Sequence, residues 1–231
     1  MPSWLQWLLW SPSGQAVRLS AGVLVLAALA IWDVRRKGAA ARRWREYLFL
    51  LTVTAVAVLY GLLNDQLTVG ISWEYFFYGK GLYEALGQQA PPDMTALRWQ
   101  AVLVGIRATW WVGLAGGVLV LLANNPIGKL PRLADRRLYA LLAWPIGLAV
   151  LLAAAGGAAG YTGLFDHGWG FDELVQDDMW RPRRFMAVWG IHLGGYVGSA
   201  LGLVGAILAV LVQRIRLGRG TRQPACGVPV G

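Results

Sequence analysis

Four ionisable side chains stand in apolar or aromatic surroundings, and their types could do chemistry together. Asp65 and Glu74 lie in NDQLTVGISWEYFFYGK at 64 to 80. Arg107 lies inside RWQAVLVGIRATWWVGLAGGVLVLLA, and His192 inside FMAVWGIHLGGYVGSALGLVGAILAVLVQ. Carboxylate oxygens and an imidazole nitrogen suit a divalent metal ion, which makes Asp65, Glu74 and His192 a candidate ligand set. A plainer chemistry uses the same residues: Arg107 neutralises Asp65 or Glu74, His192 donates to a carbonyl or a tyrosine, and the set pins a loop to a bundle, since buried charges are expected to pair. Both readings stay open at this level. A proton or ion pathway would also need polar residues deeper in the apolar runs, and the sequence offers few.

The elements that carry these residues are membrane spans. The chain is 57% hydrophobic and 14% charged, with thirteen Trp and thirty Gly, against roughly 25% charged in soluble proteins. A spanning helix needs roughly 20 mainly apolar residues. Five runs approach that length, at about 16–32, 47–63, 98–123, 138–160 and 185–213. The expected fold is therefore an all-α integral membrane bundle of five helices in a single domain, 1–213, with a basic disordered tail at 214–231. Pro145 should sit in the first turns of the fourth span, where a missing donor costs least.

Orientation follows from Lys and Arg, because loops rich in them stay cytoplasmic. Arg35, Arg36, Lys37, Arg42, Arg43 and Arg45 share one loop, Lys129, Arg132, Arg136 and Arg137 another, and Arg214, Arg216, Arg219 and Arg222 the tail. Most carboxylates fall in the alternate loops, 64–97 and 161–184. The expected N-terminus is outside and the C-terminus inside, in a bacterial inner membrane, and the formal charge of +9 then reflects topology rather than a nucleic-acid partner. Trp4, Trp7 and Trp10 suit a short helix in the outer interface and, with no basic start, argue against a cleaved signal peptide. Cys226 stands alone, so no intrachain disulfide is possible.

Depth brings the polar residues together. Arg107 lies nine residues into the third span, roughly 13 Å from its outer end, and His192 seven residues into the fifth, roughly 10 Å. Tyr196 and Ser199 follow His192 at i+4 and i+7 on one helix face. Asp65, with Asn64 and Gln66, marks the outer end of the second span. The aromatics Trp73, Tyr75, Phe76, Phe77 and Tyr78 should hold Glu74 near the bilayer, in a loop that is interfacial or re-entrant. The expected cluster is Asn64, Asp65, Gln66, Glu74, Tyr75, Arg107, His192 and Tyr196. His167, in FDHGWGFDE with Asp166, Asp172 and Glu173, could add a ligand or be a solvated loop residue. The aromatic rim near His192 and Arg107 would also suit a quinone ring or a lipid headgroup.

Small residues at four-residue spacing predict close helix packing. Gly194, Gly198 and Gly202 form one stripe, and Gly105, Thr109, Gly113 and Gly117 another. These are contacts inside the bundle or, through Gly194, Gly198 and Gly202, with a second copy or a larger membrane complex.

LYGLLNDQLTVGISWEYFFYGK, ATWWVGL at 108–114 and the late His192 together resemble a group of small bacterial multi-pass membrane proteins, across about half of the chain. The shared residues are Asp65, Gln66, Glu74, Tyr75, Phe76, Trp110, Trp111 and His192. Some members carry His where this chain has Asn64 and Lys80. The resemblance implies a metal site for the group and brings no activity with it. This chain departs from that pattern, because a charged Lys80 cannot ligate and Asn64 is a weak ligand.

No nucleotide-binding glycine pattern, paired-Cys motif, HExxH or nucleophile elbow is present. Only one His lies in a span, which excludes a bis-His haem. The expected function is a structural or accessory membrane protein whose cluster fixes the fold. The alternatives are a metal-binding protein or metal-dependent enzyme using Asp65, Glu74 and His192, or a helix-packing subunit of a larger complex.

Overall fold

The computed structural model describes residues 11–87, 89–125, 130–166, 174–175 and 179–220. Its helices are α1 (Pro12–Lys37), α2 (Arg43–Ile71), the short α3 (Tyr83–Leu86), α4 (Met94–Ala123), α5 (Asp135–Leu141), α6 (Ala143–Thr162) and α7 (Pro182–Gly220), with a π-helical turn at Tyr75–Gly79. There is no strand among the described residues. Five helical stretches are long and apolar enough to cross a membrane: Ser13–Ala40, Arg43–Ile71, Met94–Ala123, Asp135–Thr162 and Pro182–Arg219. Outward faces carry exposed Leu24, Leu67, Val150, Leu151 and Leu208, as lipid contact requires.

The fourth span is two helices. The chain breaks at Leu142, whose N–H bonds back to Tyr139 in a tighter turn, and α6 begins just before Pro145. Pro145 thus stands at the third position of α6, where its lost donor would be unsatisfied anyway.

Two tight pairs make the bundle. In lipid the hydrophobic effect between helices is missing, so association depends on close backbone approach. On α7, a Cβ at Gly190, Gly194 or Gly198 would collide with the carbonyl of Gly156, Leu152 or Leu148, and one at Gly202 with Pro145. Gly160 of α6 meets the Met186 carbonyl in the same way. Between α2 and α4, a Cβ at Gly105 would lie 2.9 Å from the Gly61 carbonyl, and Thr109 fills the space over Gly61. Gly113 faces Ala57 and Thr54, and Gly117 faces Leu50 and Val53. Both stripes are thus occupied by the chain's own helices. Of the two expected uses of Gly194, Gly198 and Gly202, contact inside the bundle is the one that their neighbours on α6 show. α1 is peripheral: Asp33 accepts from the Arg43 N–H at 2.8 Å and pairs with Lys37 at 3.2 Å, which fixes the turn into α2.

The two pairs share one core at each end. Near Glu74, which marks the capped end, Val69, Tyr75, Phe76, Leu97, Phe185 and Met186 are buried together. At the opposite, basic end, Phe49, Val120, Leu133, Leu138, Ala206 and Val210 form the second core. Arg45 to Asp135 at 3.5 Å and Arg132 to Glu46 at 3.1 Å link the two basic loops there. Helix α7 continues to Gly220, past the boundary expected at 213, so Arg214 is not part of a disordered tail. Its buried guanidinium donates to the carbonyls of Pro131 at 3.0 Å, Leu130 at 3.2 Å and Ala123. A guanidinium with five donors can serve carbonyls that a helix end and an extended loop leave open, and this extends the helix by two turns. The remaining tail, Cys226 included, and Trp4, Trp7 and Trp10 lie outside the described residues.

Gly194→Ala should therefore lower stability by about 1–3 kcal/mol through overpacking. Gly147→Ala, where a Cβ meets nothing within 4 Å, should be neutral or stabilising by up to about 1 kcal/mol. Thermal unfolding in detergent measures both. Equal behaviour of the two variants would contradict the packing.

Candidate functional site

Helix α2 does not stop where its polar residues begin. It runs to Ile71, so Asn64, Asp65 and Gln66 sit inside it instead of opening the loop. Neither Pro nor Gly interrupts 62–69, and the polar side chains bond locally or across to a neighbour rather than unwinding the backbone. Thr68 Oγ1 donates to the Asn64 carbonyl at 2.7 Å. Gln66 turns to α4, where its Nε2 donates to the Arg98 carbonyl at 3.0 Å and Arg98 donates back to its carbonyl at 3.3 Å. Gln66 thereby leaves the expected cluster.

Asp65, Thr68 and His192 meet between the pairs, all buried. His192 Nε2 is 3.3 Å from Thr68 Oγ1 and 3.7 Å from Asp65 Oδ1, the second too long for a direct hydrogen bond. The Thr68 hydroxyl has one proton, and its shorter contact with the Asn64 carbonyl takes it. Nε2–H then donates to the Thr68 lone pair, with the Asp65 carboxylate beside it favouring a proton on that nitrogen. Tyr75 stacks on the imidazole, with centroids 4.9 Å apart and planes at 22°, while Phe76 approaches edge-on at 6.0 Å. Thr68 carries no sequence signal of its own, because threonines at this spacing are common on any membrane helix.

The turn after α2 brings Tyr75 to this place. Ser72 ends the helix, and its Oγ accepts from the Tyr75 N–H at 3.3 Å. A wide turn follows, closed by Lys80 N–H on the Tyr75 carbonyl at 3.0 Å, which aims Tyr75, Phe76 and Phe77 inward. The Lys80 ammonium lies over the Tyr75 ring, 5.3 Å from its centroid. Burial lowers the Lys80 pKa below the usual lysine range, against the attraction of the Asp65 carboxylate. Burial raises the Tyr75 phenol above its ordinary range, with Tyr196 and Asp65 adding to the effect.

Glu74 has a different task from the expected one. It is 1% exposed, and its Oε1 accepts the Trp180 N–H at 2.6 Å and the Arg181 N–H at 3.2 Å. Arg181 accepts the first bonds of α7, and Pro182 follows at the first helical position. Glu74 thus holds, from a distant segment, the two N–H groups that immediately precede α7, a place favoured for a carboxylate by the helix dipole.

Arg107 is also placed otherwise than expected. Its Nε donates to Gln15 Oε1 of α1 at 2.7 Å, and its side chain is exposed, so α1 and not the carboxylates answers it. Helix rotation decided this, and depth alone could not. Tyr196 lies at the edge of the site, 6.4 Å from the imidazole centroid and 50% exposed. His167, Asp172 and Glu173 lie outside the described residues, while Asp166 pairs with Arg183 at 2.6 Å.

Among the described residues no three His, Cys, Asp or Glu side chains gather so as to hold a metal ion. Asp65 and His192 are brought together, and Glu74 is committed to the start of α7. The arrangement can hold an imidazole rigidly and present hydrogen-bonding groups. Comparison with protein-family models, with curated proteins and with solved structures found no match.

Glu74→Gln keeps one acceptor oxygen and should lower stability by about 1–2 kcal/mol, whereas Glu74→Leu leaves two N–H groups open and should cost about 3 kcal/mol. Denaturant or thermal unfolding measures the pair. A Leu variant as stable as the Gln variant would contradict the capping role.

Proposed function

We propose that the chain is a structural or accessory protein of the bacterial inner membrane, with its N-terminus outside, whose buried polar groups lock an aromatic cap onto the outer end of the bundle. The observation that carries this reading is that Glu74 Oε1, Thr68 Oγ1 and His192 Nε2 each find partners within the chain, across three elements. A site built to turn over a substrate keeps groups of matched pKa and open geometry for it. These are engaged in holding α2, the turn and α7 together. The orientation rests on the positive-inside bias, since Arg35, Arg36, Arg132 and Arg214 all belong to the basic end.

The rival, a divalent metal on Asp65, Glu74 and His192, requires Glu74 to join Asp65 and His192, and these three do not gather among the described residues. Elemental analysis of the purified protein should find the same metal content in the wild type and in His192→Ala. Metal present in the wild type and lost from that variant would favour the rival. For orientation, green fluorescent protein fused after Gly231 should fluoresce and alkaline phosphatase fused there should be inactive. The reverse pattern would invert the topology.

A further inference from the structure

The helix pairs part in an apolar groove, and the Arg107 guanidinium lies outside it, between α4 and α1. Its side chain is exposed, and its Nε donates to Gln15 Oε1 at 2.7 Å. That partner is neutral, while a guanidinium carries a permanent charge and five donors in a planar fork. Among the described residues no carboxylate pairs with Arg107. Residues 1–10, which lead into α1, contain no Asp or Glu. Within these segments the charge is met by an amide dipole alone.

Gln15 adds a second open donor at the same place. It is 4% exposed, and its Nε2 has no hydrogen-bond partner among the described residues. Amide geometry sets Nε2 about 2.3 Å from Oε1, so this donor lies within about 5 Å of Arg107 Nε. An anionic oxygen between the two would serve a buried donor and a charge together. Arg18 follows Gln15 at i+3 on the same side of α1, and the first turn of that helix presents the positive end of its dipole.

Depth names the kind of anion. Gly105, close to Arg107 on α4, packs against Gly61 of α2. From Arg43 at the basic end to Gly61 is about 27 Å at 1.5 Å per residue, and from Lys37 back to Gln15 is about 33 Å by the same rise. Both lengths match a hydrocarbon core about 30 Å thick. The two residues therefore lie where acyl chains give way to headgroups, in the leaflet at the capped end. Trp111, exposed at i+4 from Arg107, sits one turn deeper on the same face, a level that suits an indole. A lipid phosphate at this height has oxygens for the fork and the amide, and its acyl chains have the exposed apolar faces of α1 and α4 to lie on.

We propose that Arg107 and Gln15 seat the phosphate of one anionic phospholipid, with α1 and α4 as its walls. This goes beyond the structural role, and it needs neither a metal nor a particular orientation.

Native mass spectrometry of the full chain in detergent, with phosphatidylglycerol and phosphatidylcholine added in turn, counts the retained lipids and ranks their affinities. The wild type should retain one phosphatidylglycerol about tenfold more tightly than phosphatidylcholine, about 1.4 kcal/mol. Arg107→Gln should lose that preference. Gln15→Glu, nearly the same in shape, sets a carboxylate of the chain's own against Arg107 and should lose it too, and it covers the case in which Arg107→Gln does not fold. Arg36→Gln, at the basic end, should keep the preference. Equal affinity for the two lipids in the wild type, or a preference retained in folded Arg107→Gln or in Gln15→Glu, would overturn the proposal, since the pair would then only tie α1 to α4. Loss of the preference in Arg36→Gln would overturn it by moving the binding to the basic loops. Inorganic phosphate in excess should not displace the lipid; displacement would show a site for free anions and overturn the lipid assignment.

Discussion

The His192 imidazole, held between Thr68 and Asp65 on one side and the Tyr75 ring on the other, joins the two helix pairs beside the apolar core at the capped end. Each pair is self-sufficient, because glycines let its backbones touch along most of their length. Between pairs no such stripe exists, and in lipid there is no hydrophobic effect to replace it. Polar atoms in a low-dielectric interior then carry more weight than they would in water, both when paired and when left unpaired. The site's geometry follows from that need.

The two ends are held by one physical device in two forms. At the capped end a carboxylate from a turn accepts the N–H groups that open α7, and at the basic end a guanidinium from the same helix donates to carbonyls of the loop after α4. Helix ends and loops expose backbone groups that need partners, and both devices supply them across elements instead of within one. With both ends tied and the middle unpacked, a gap between the pairs is the geometric result. A bundle closed by a glycine stripe along its whole length would have no groove.

Much of this was legible in residue types and spacing. Five apolar runs became five helical stretches long and apolar enough to cross a membrane, and both small-residue stripes lie on packing faces. Asp65 and His192 stood out because an ionisable group in an apolar run has few places to go, and they do meet. The span boundaries were less legible, since Asn64 to Gln66 look like a helix stop but satisfy themselves within α2 and against α4. Arg214 likewise looks like a solvated tail residue until the loop carbonyls around it are in place. The roles of Glu74 and Arg107 were hidden for another reason: composition gives depth, while helix rotation decides which neighbour a side chain meets at that depth. Thr68 is silent in the sequence because only the stacked Tyr75 and the facing His192 make its hydroxyl matter.

The claim at the centre is that polar contacts through His192 and Glu74 fix the spacing of the two helix pairs. Spin labels at Leu59 on α2 and Leu201 on α7, both 55% exposed and away from the site, report that spacing directly. With Cys226 replaced by Ser, double electron–electron resonance on the otherwise unchanged chain should give one narrow distance distribution. His192→Ala combined with Glu74→Leu should broaden or shift it while the chain remains helical. A distribution identical to that of the parent would show that the pairs are held by something else, and would contradict the account.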